Sequence, residues 1–325
     1  MKKIALEEHF LTPGLVDHWR TTAINISADL GDKALGGLMD FGSRRLESMD
    51  RNGIGYALLS ISGPGVQVER DAGKAARLAR EANDGLAVEI QKNSSRYGGF
   101  AHLAMQDPNG AADELERCVR DLGFHGVMIN GQTNGEYLDA DRLSPFWERV
   151  ADLGTFVYIH PTNPTDHPAM YADHSELFGP VWSWGVETGT HAMRLVTAGV
   201  FERYPKARLI LGHMGEAIPF QLWRIDGRYK IANRSGKPAL PKPPSHYIRE
   251  NILVTTSGVC SAEPLVCALS ALGEDRVMFG ADYPFEDASL AAKFMDTVPV
   301  ADALRRKIAY GTAATLFGLD AAHFA

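Results

Sequence analysis

Residues 4–10 read IALEEHF, an apolar β-type run that ends in Glu7, Glu8 and His9. The same design recurs downstream. FVYIH (156–160) closes on His160, RLILGH (208–213) on His213, and VMFGAD (277–282) on Asp282. Carboxylates and imidazoles are the side chains that hold a divalent cation. In a closed parallel barrel the carboxyl ends of all strands converge on one mouth, so residues far apart in sequence meet there. Glu7, His9, His160, His213 and Asp282 are therefore the candidate ligands of a mononuclear metal site.

Working outward from these runs, the pattern predicts eight strands: Ile4–Phe10, Gly55–Ile61, Gly98–Ala104, Gly126–Asn130, Phe156–His160, Arg208–His213, Ile252–Thr256 and Val277–Asp282. Helical patterns lie between them, at Asp71–Asn93, Ala111–Leu122, Pro145–Leu153, His191–Tyr204 and Ala262–Leu272. In the second of these, Leu115, Val119 and Leu122 share one face at helical spacing, and DPNG before it carries turn and cap chemistry. Strict alternation of strand and helix predicts a (β/α)₈ TIM barrel spanning residues 1–325 as one domain. An open doubly wound sheet is the rival. No GxGxxG or P-loop follows any strand, and an open sheet would hold its first and last strands too far apart to share an ion.

The chain has 325 residues, 45% of them hydrophobic, enough for a large core. A formal charge of −7 with scattered basic residues gives no footprint for nucleic acid or a membrane surface. Cys118, Cys260 and Cys267 form no CxxC, which predicts free thiols in a reducing cytoplasm. A strand within three residues of Met1 leaves no room for a signal peptide. Residues 11–42 and the Pro-rich RSGKPALPKPPS (234–245) exceed a minimal barrel. They read equally as lid or subunit-contact elements, the second beside a neighbouring subunit's site, and as ordered surface loops.

On a strand, alternate side chains share a face, so Glu7 and His9 point together into the mouth and Glu8 away from it. His160 precedes Pro161 at a strand end, where the chain must turn; taken alone, a core histidine is the simpler reading. His213 opens HMGE, and Glu216 in the first turn of the next helix would reach its imidazole and set the tautomer. Asp282 needs a cation or donors to be buried at all. Arg224, in WRID (223–226), reads either as a fork for a substrate carboxylate or as a partner of a nearby acid such as Asp226. Glu187 through Arg194 reads as a capped helix start, with His191 structural or supporting a ligand rather than itself a ligand. Two carboxylates with two or three imidazoles favour one Mn²⁺, with Zn²⁺ or another first-row ion as the alternative. Asn130 stands where a lysine bridging a second metal would be needed.

With these motifs in place, the chain resembles the amidohydrolase superfamily, in its branch of metal-dependent non-oxidative decarboxylases. It is most similar there to the γ-resorcylate, 2,3-dihydroxybenzoate and 5-carboxyvanillate decarboxylases. The resemblance runs through ALEEHF (5–10), LSISGPGVQ (59–67), DLGFHGVMIN (121–130), YIHPTNP (158–164), GHMGEAIPFQLWRID (212–226), VTTSG (254–258) and ADYPFE (281–286). It implies that Glu7, His9, His160 and Asp282 bind the metal, that His213 and Glu216 act beside it, and that the protein is a homotetramer or homodimer. The chain departs from the γ-resorcylate pattern at Thr162, where that family has Arg, and in FGADYPFE, where it has Ser-Thr-Asp-Trp.

The implied reaction protonates the ring carbon that bears the carboxylate of a small hydroxylated aromatic acid, and CO₂ leaves as aromaticity returns. Asp282 is the general acid, His213 and Glu216 replenish its proton, and Arg224 holds an anionic part of the ligand. The alternative is a metal-dependent hydrolase or hydratase on the same scaffold. Against it, Glu7 stands where hydrolases carry the first His of HxH, and an added negative ligand weakens activation of water. A non-catalytic binding protein would leave the ligand set without a purpose.

Overall fold

In the computed structural model, which describes residues 1–22, 28–234, 236 and 238–325, eight parallel strands lie side by side in chain order. They are β1 (Lys3–Phe10), β2 (Ile54–Ile61), β3 (Tyr97–Ala101), β4 (Gly126–Asn130), β5 (Phe156–His160), β6 (Arg208–Leu211), β7 (Ile252–Thr255) and β8 (Val277–Met278). The ring closes between β8 and β1. Leu6 bridges Gly280, the Leu6 N–H donates to the Phe279 carbonyl at 3.1 Å, and the His9 N–H donates to the Tyr283 carbonyl at 2.8 Å. This is the (β/α)₈ barrel that the alternation predicts.

Every residue of β1, β4 and β5 is buried. That is the signature of strands covered on both faces, by the barrel interior and by the helical layer. Large side chains such as Phe100, Tyr158, Leu209 and Phe279 are removed from water entirely or nearly so. Each contributes about 1.5–3 kcal/mol of transfer free energy. The helix Ala72–Lys92 starts where Asp71 accepts the Lys74 N–H at 2.7 Å. The helix Pro108–Arg120 starts at a capping Asp107 with Pro in its first turn. Gly154, at φ 62°, ends the helix Ser144–Leu153.

Several expected boundaries move for physical reasons. The eighth strand pairs only over Val277–Met278, because the chain beyond it leaves the ladder to close against β1. The sixth stops at Leu211, where a turn of unusual hand begins. The helix expected to start at His191 starts at Ser183 after Trp182, so Glu187 is no cap but a mid-helix residue. That helix ends at Thr197, and a separate turn, Val200–Arg203, follows Gly199 at φ 73°. The 11–42 excursion is not bare loop; it contains the helices Val16–Arg20 and Ala28–Leu38. Positions 23–27 of that excursion, and 235 and 237 of the Pro-rich segment, lie outside the described residues. Cys118, Cys260 and Cys267 are free thiols. Among the described residues no helix is long and apolar enough to cross a membrane.

Candidate metal centre

Glu7, His9, His160 and Asp282 each offer a ligand atom, and these atoms all lie within 4.8 Å of one another. The structure thus gathers at one mouth residues from the ends of β1 and β5 and from the segment after β8. His9 Nε2 is 3.3 Å from Asp282 Oδ1, and His160 Nε2 is 3.7 Å from Glu7 Oε1. The His9 and His160 rings meet edge to face at 4.6 Å.

Simple alternation does not account for Glu7. Ala5 pairs with Ala57 and Glu8 with Leu59, so β1 spends three residues where β2 spends two. That is a bulge, with Glu7 in the left-handed region at φ 61°. The extra residue re-aims the Glu7 carboxylate into the barrel. Glu8 is buried as well, and burial lifts its carboxyl to about 8 against the pull of Arg45. Arg45, on the helix Ser43–Arg51, is itself fully buried. Its guanidinium donates to the carbonyls of His9, Gly37 and Asp40 and stacks 4.7 Å from the centre of the Tyr283 ring. It therefore ties the backbone of one candidate ligand to the neighbour of another.

His213 sits beside this set. Its Nδ1 is 2.7 Å from Glu216 Oε1, which leaves Nε2 facing Glu7 Oε1 at 4.0 Å and Asp282 Oδ2 at 3.9 Å. Glu216 does this without being in the first turn of the next helix. Residues 213–217 form a left-handed turn, with φ of 49°, 57°, 82°, 52° and 62°, and the regular helix starts only at Ile218. The turn doubles back so that Glu216 reaches its neighbour three residues earlier.

The electrostatics divide the site. Burial pushes the His213 ring down, but Glu216, Glu7 and Asp282 outweigh it and hold the imidazole well above its ordinary range. Burial works against ionised Asp282 too, and His213 and His9 overcome it, holding that carboxyl well below the usual range. Burial lifts Glu7 and, with the neighbouring His9 charge, drives His160 far down.

The residues fit a divalent ion. Glu7 Oε1, His9 Nε2 and Asp282 Oδ1 are buried and have no hydrogen-bond partner. Leaving three such atoms unpaired costs about 1–3 kcal/mol each, more where charged. Their orientation toward one point is what a cation requires. His160 Nδ1 lies 2.9 Å from its own Pro161 carbonyl, the kind of contact that fixes a ligand's tautomer.

Two expected residues stand apart from this cluster. Arg224 is exposed and has no ion pair or hydrogen bond among the described residues; its proposed partner Asp226 is taken by Ser245 at 2.6 Å. It lines a groove of about 480 Å³ together with Gly185, Gly189, Ile218, Arg228 and Glu216, the partner of His213. His191 accepts the Leu138 N–H at 3.0 Å. Sequence reasoning missed Tyr158, Thr255 and Arg45. Tyr158 was findable, since it precedes His160 by two on a strand and shares its face. Arg45 carried no local signal.

An amidohydrolase family model matches residues 41–319. The γ-resorcylate decarboxylase of Polaromonas sp. (strain JS666) is 40% identical, over 98% of this chain and 99% of that protein. The solved structure of a 2,6-dihydroxybenzoate decarboxylase complexed with 2,6-dihydroxybenzoate superposes with a TM-score of 0.92 at 38% identity, covering 98% of this chain and all of that one. A dihydroxybenzoic acid decarboxylase from Polaromonas sp. JS666, with bound manganese and the inhibitor 2-nitroresorcinol, superposes with a TM-score of 0.91 at 40% identity, covering 98% and 97%.

Proposed function

The chain belongs to the amidohydrolase family and is a decarboxylase of hydroxylated aromatic acids; we propose that it works on an ortho-hydroxylated benzoate with one divalent ion, Mn²⁺ in preference to Zn²⁺, held by Glu7, His9, His160 and Asp282. The observation that carries the metal reading is the convergence of three buried, unpartnered ligand atoms from β1 and the segment after β8. When bound, such an ion supplies Lewis-acid stabilisation of phenolate and carboxylate charge.

The side chains supply the proton. Losing CO₂ directly would leave an aryl carbanion, so the ring carbon must be protonated first. Asp282 is the general acid in this reading. Asp282 needs a proton source in this reading, and His213 stands 3.9 Å away. Glu216 holds that imidazole by its Nδ1, leaving Nε2 aimed at Asp282. A proton passes from Nε2 to the carboxylate and from there to the ring, and solvent recharges His213 through its partly exposed edge. Arg224, unpaired on the groove that Glu216 also lines, takes an anionic substituent.

The whole chain, 1–325, acts as one domain in this reading, in the cytoplasm, as a homodimer or homotetramer. Self-association is supported by Phe220 and Trp223, which are 78% and 87% exposed on the helix Ile218–Tyr229; monomeric surfaces rarely leave such a patch uncovered. The test is CO₂ release by the Mn²⁺-reconstituted protein from 2,6-, 2,3- and 2,4-dihydroxybenzoate, salicylate and 5-carboxyvanillate, beside a chelator-treated control. Metal-dependent release from one or more is expected. Silence across the panel with metal bound would move the reading to a non-aromatic acid or to hydrolase or hydratase chemistry.

A further inference from the structure

Glu7 enters the site from a strained bulge, and something must decide which way its carboxylate faces. Tyr158 lies two residues before His160 on β5, so both side chains leave the same face, with Tyr158 deeper in the barrel. Its hydroxyl donates to Glu7 Oε2 at 2.6 Å. It also lies 3.0 Å from Thr255 Oγ1 on β7, which is 3.4 Å from the same Oε2. All three residues are fully buried. The single Tyr158 proton goes to Glu7, so the Thr255 proton is left for the Tyr158 oxygen or for Oε2. Both hydroxyls therefore serve one carboxylate oxygen. The other, Oε1, has no hydrogen-bond partner and faces His160 and His213.

We propose that Tyr158 and Thr255 are positioning residues that make Glu7 a one-oxygen ligand: they anchor Oε2 in the barrel interior and leave Oε1 alone for the cation. The proposal rests on the metal reading above. Gly212 leaves room for the whole carboxylate, since a Cβ there would stand 2.8 Å from Oε2 and 2.9 Å from Oε1. Without the phenol, the carboxylate is free to rotate and present both oxygens or neither, and the site loses the direction of one ligand in four. Removing a group that orients a metal ligand costs about 10- to 100-fold in metal affinity.

The experiment is a Mn²⁺ titration of chelator-stripped full-length protein, with free Mn²⁺ read by electron paramagnetic resonance. Wild type, Tyr158→Phe, Thr255→Val and the double variant are compared, each with a thermal melt of the metal-free form. Tyr158→Phe should bind Mn²⁺ about 10- to 100-fold more weakly, and Thr255→Val less severely. The double variant should resemble Tyr158→Phe, because both hydroxyls act on one oxygen. The metal-free melts report the stability lost with each buried hydrogen bond, and Mn²⁺ affinity, read separately, is what a merely structural role for Tyr158 would leave unchanged. Wild-type Mn²⁺ affinity in Tyr158→Phe overturns the proposal and leaves the metal reading standing. A wild-type protein that binds no Mn²⁺ overturns both. If Tyr158→Phe does not fold, Thr255→Val decides: weakened binding supports the proposal and unchanged binding overturns it.

Discussion

Replacing Gly212 by alanine tests the site at one methyl group. The Gly212 backbone, at φ −69° and ψ −172°, is open to any residue, so alanine meets no backbone strain. The cost lies in the contact. The new Cβ would stand 2.8 Å from Glu7 Oε2, 2.9 Å from Oε1 and 3.2 Å from Cδ. Ordinary contact begins near about 3.5 Å, so the carboxylate must retreat by about 0.7 Å. It cannot do so freely, because Tyr158 holds Oε2 at 2.6 Å and the side chain is wholly buried. Overpacking costs about 1–3 kcal/mol, and losing a glycine from the unfolded chain returns about 0.4–1 kcal/mol. Gly212→Ala should therefore fold, with a net loss of at most about 2.6 kcal/mol. Function should suffer more, since metal and catalytic constellations tolerate only about 0.5 Å of error, and a 1 Å misplacement costs about 100-fold. We expect Mn²⁺ affinity and kcat/KM for CO₂ release each to fall at least about 10-fold. Metal content after dialysis and steady-state turnover read this out, with Gly85→Ala, whose Cβ meets nothing within 4 Å, as the control. Full metal occupancy with wild-type kcat/KM would refute the claim that Glu7 is pinned between Tyr158 and Gly212.

Asp282→Asn should lower turnover by at least about 100-fold, the usual worth of a general acid, while circular dichroism stays native; near-wild-type rates would remove Asp282 from the proton path. Burial pushes His102 down to about 4 and His191 down to about 3. An unfolded histidine titrates near about 6.5, so the unfolded chain binds protons first as pH falls. Their contribution to stability is whole above about 6.5 and is lost between that pH and the folded values, at up to about 1.4 kcal/mol per pH unit for each ring. Urea melts of the metal-free protein at pH 7, 6 and 5 should show the decline, with a shallower slope in His191→Gln; equal slopes would contradict it. Ala217→Gly removes a left-handed alanine worth about 1–2 kcal/mol against a glycine entropy of about 0.5–1 kcal/mol. The protein should gain up to about 1.5 kcal/mol in a urea melt with kcat/KM unchanged, and a clear loss of stability would mean that residue 217 carries no strain.

The barrel was legible because each strand is buried on both faces and reads as an apolar run, and because its ligands sit where those runs stop. IALEEHF and FVYIH give strand, face and ligand in one stretch. What could not be read is where backbone geometry departs from the regular period. Alternation placed Glu7 and His9 on one face, but the structure reaches that result through a bulge in which Glu7 adopts φ 61°. HMGEA has a single glycine, so nothing in it announces five consecutive left-handed residues. Arg45 was invisible for another reason: its partners are carbonyls at His9, Gly37 and Asp40, and carbonyls carry no sequence identity.

These departures share a location. Among the described residues, eight other than glycine have positive φ, and six of them are Glu7, His213, Met214, Glu216, Ala217 and Asp282. Each such residue costs of order 1–3 kcal/mol and persists only where its surroundings over-determine it. A regular strand end would send its last side chain along the pleat, and a regular helix start, which also brings residues three apart together, would set Glu216 and His213 at a different angle to the barrel mouth. The strained conformations set where these side chains point. The bulge turns Glu7 inward next to His9, the left-handed turn folds Glu216 back under the imidazole, and φ 58° at Asp282 lets the chain leave β8 and still face His9 at 3.3 Å. Eight paired strands and a buried Arg45 clamp hold these bends in place. The rigidity of the barrel is thus a condition of the chemistry, because it keeps three carboxylates and three imidazoles within a few ångströms of one another against their own strain.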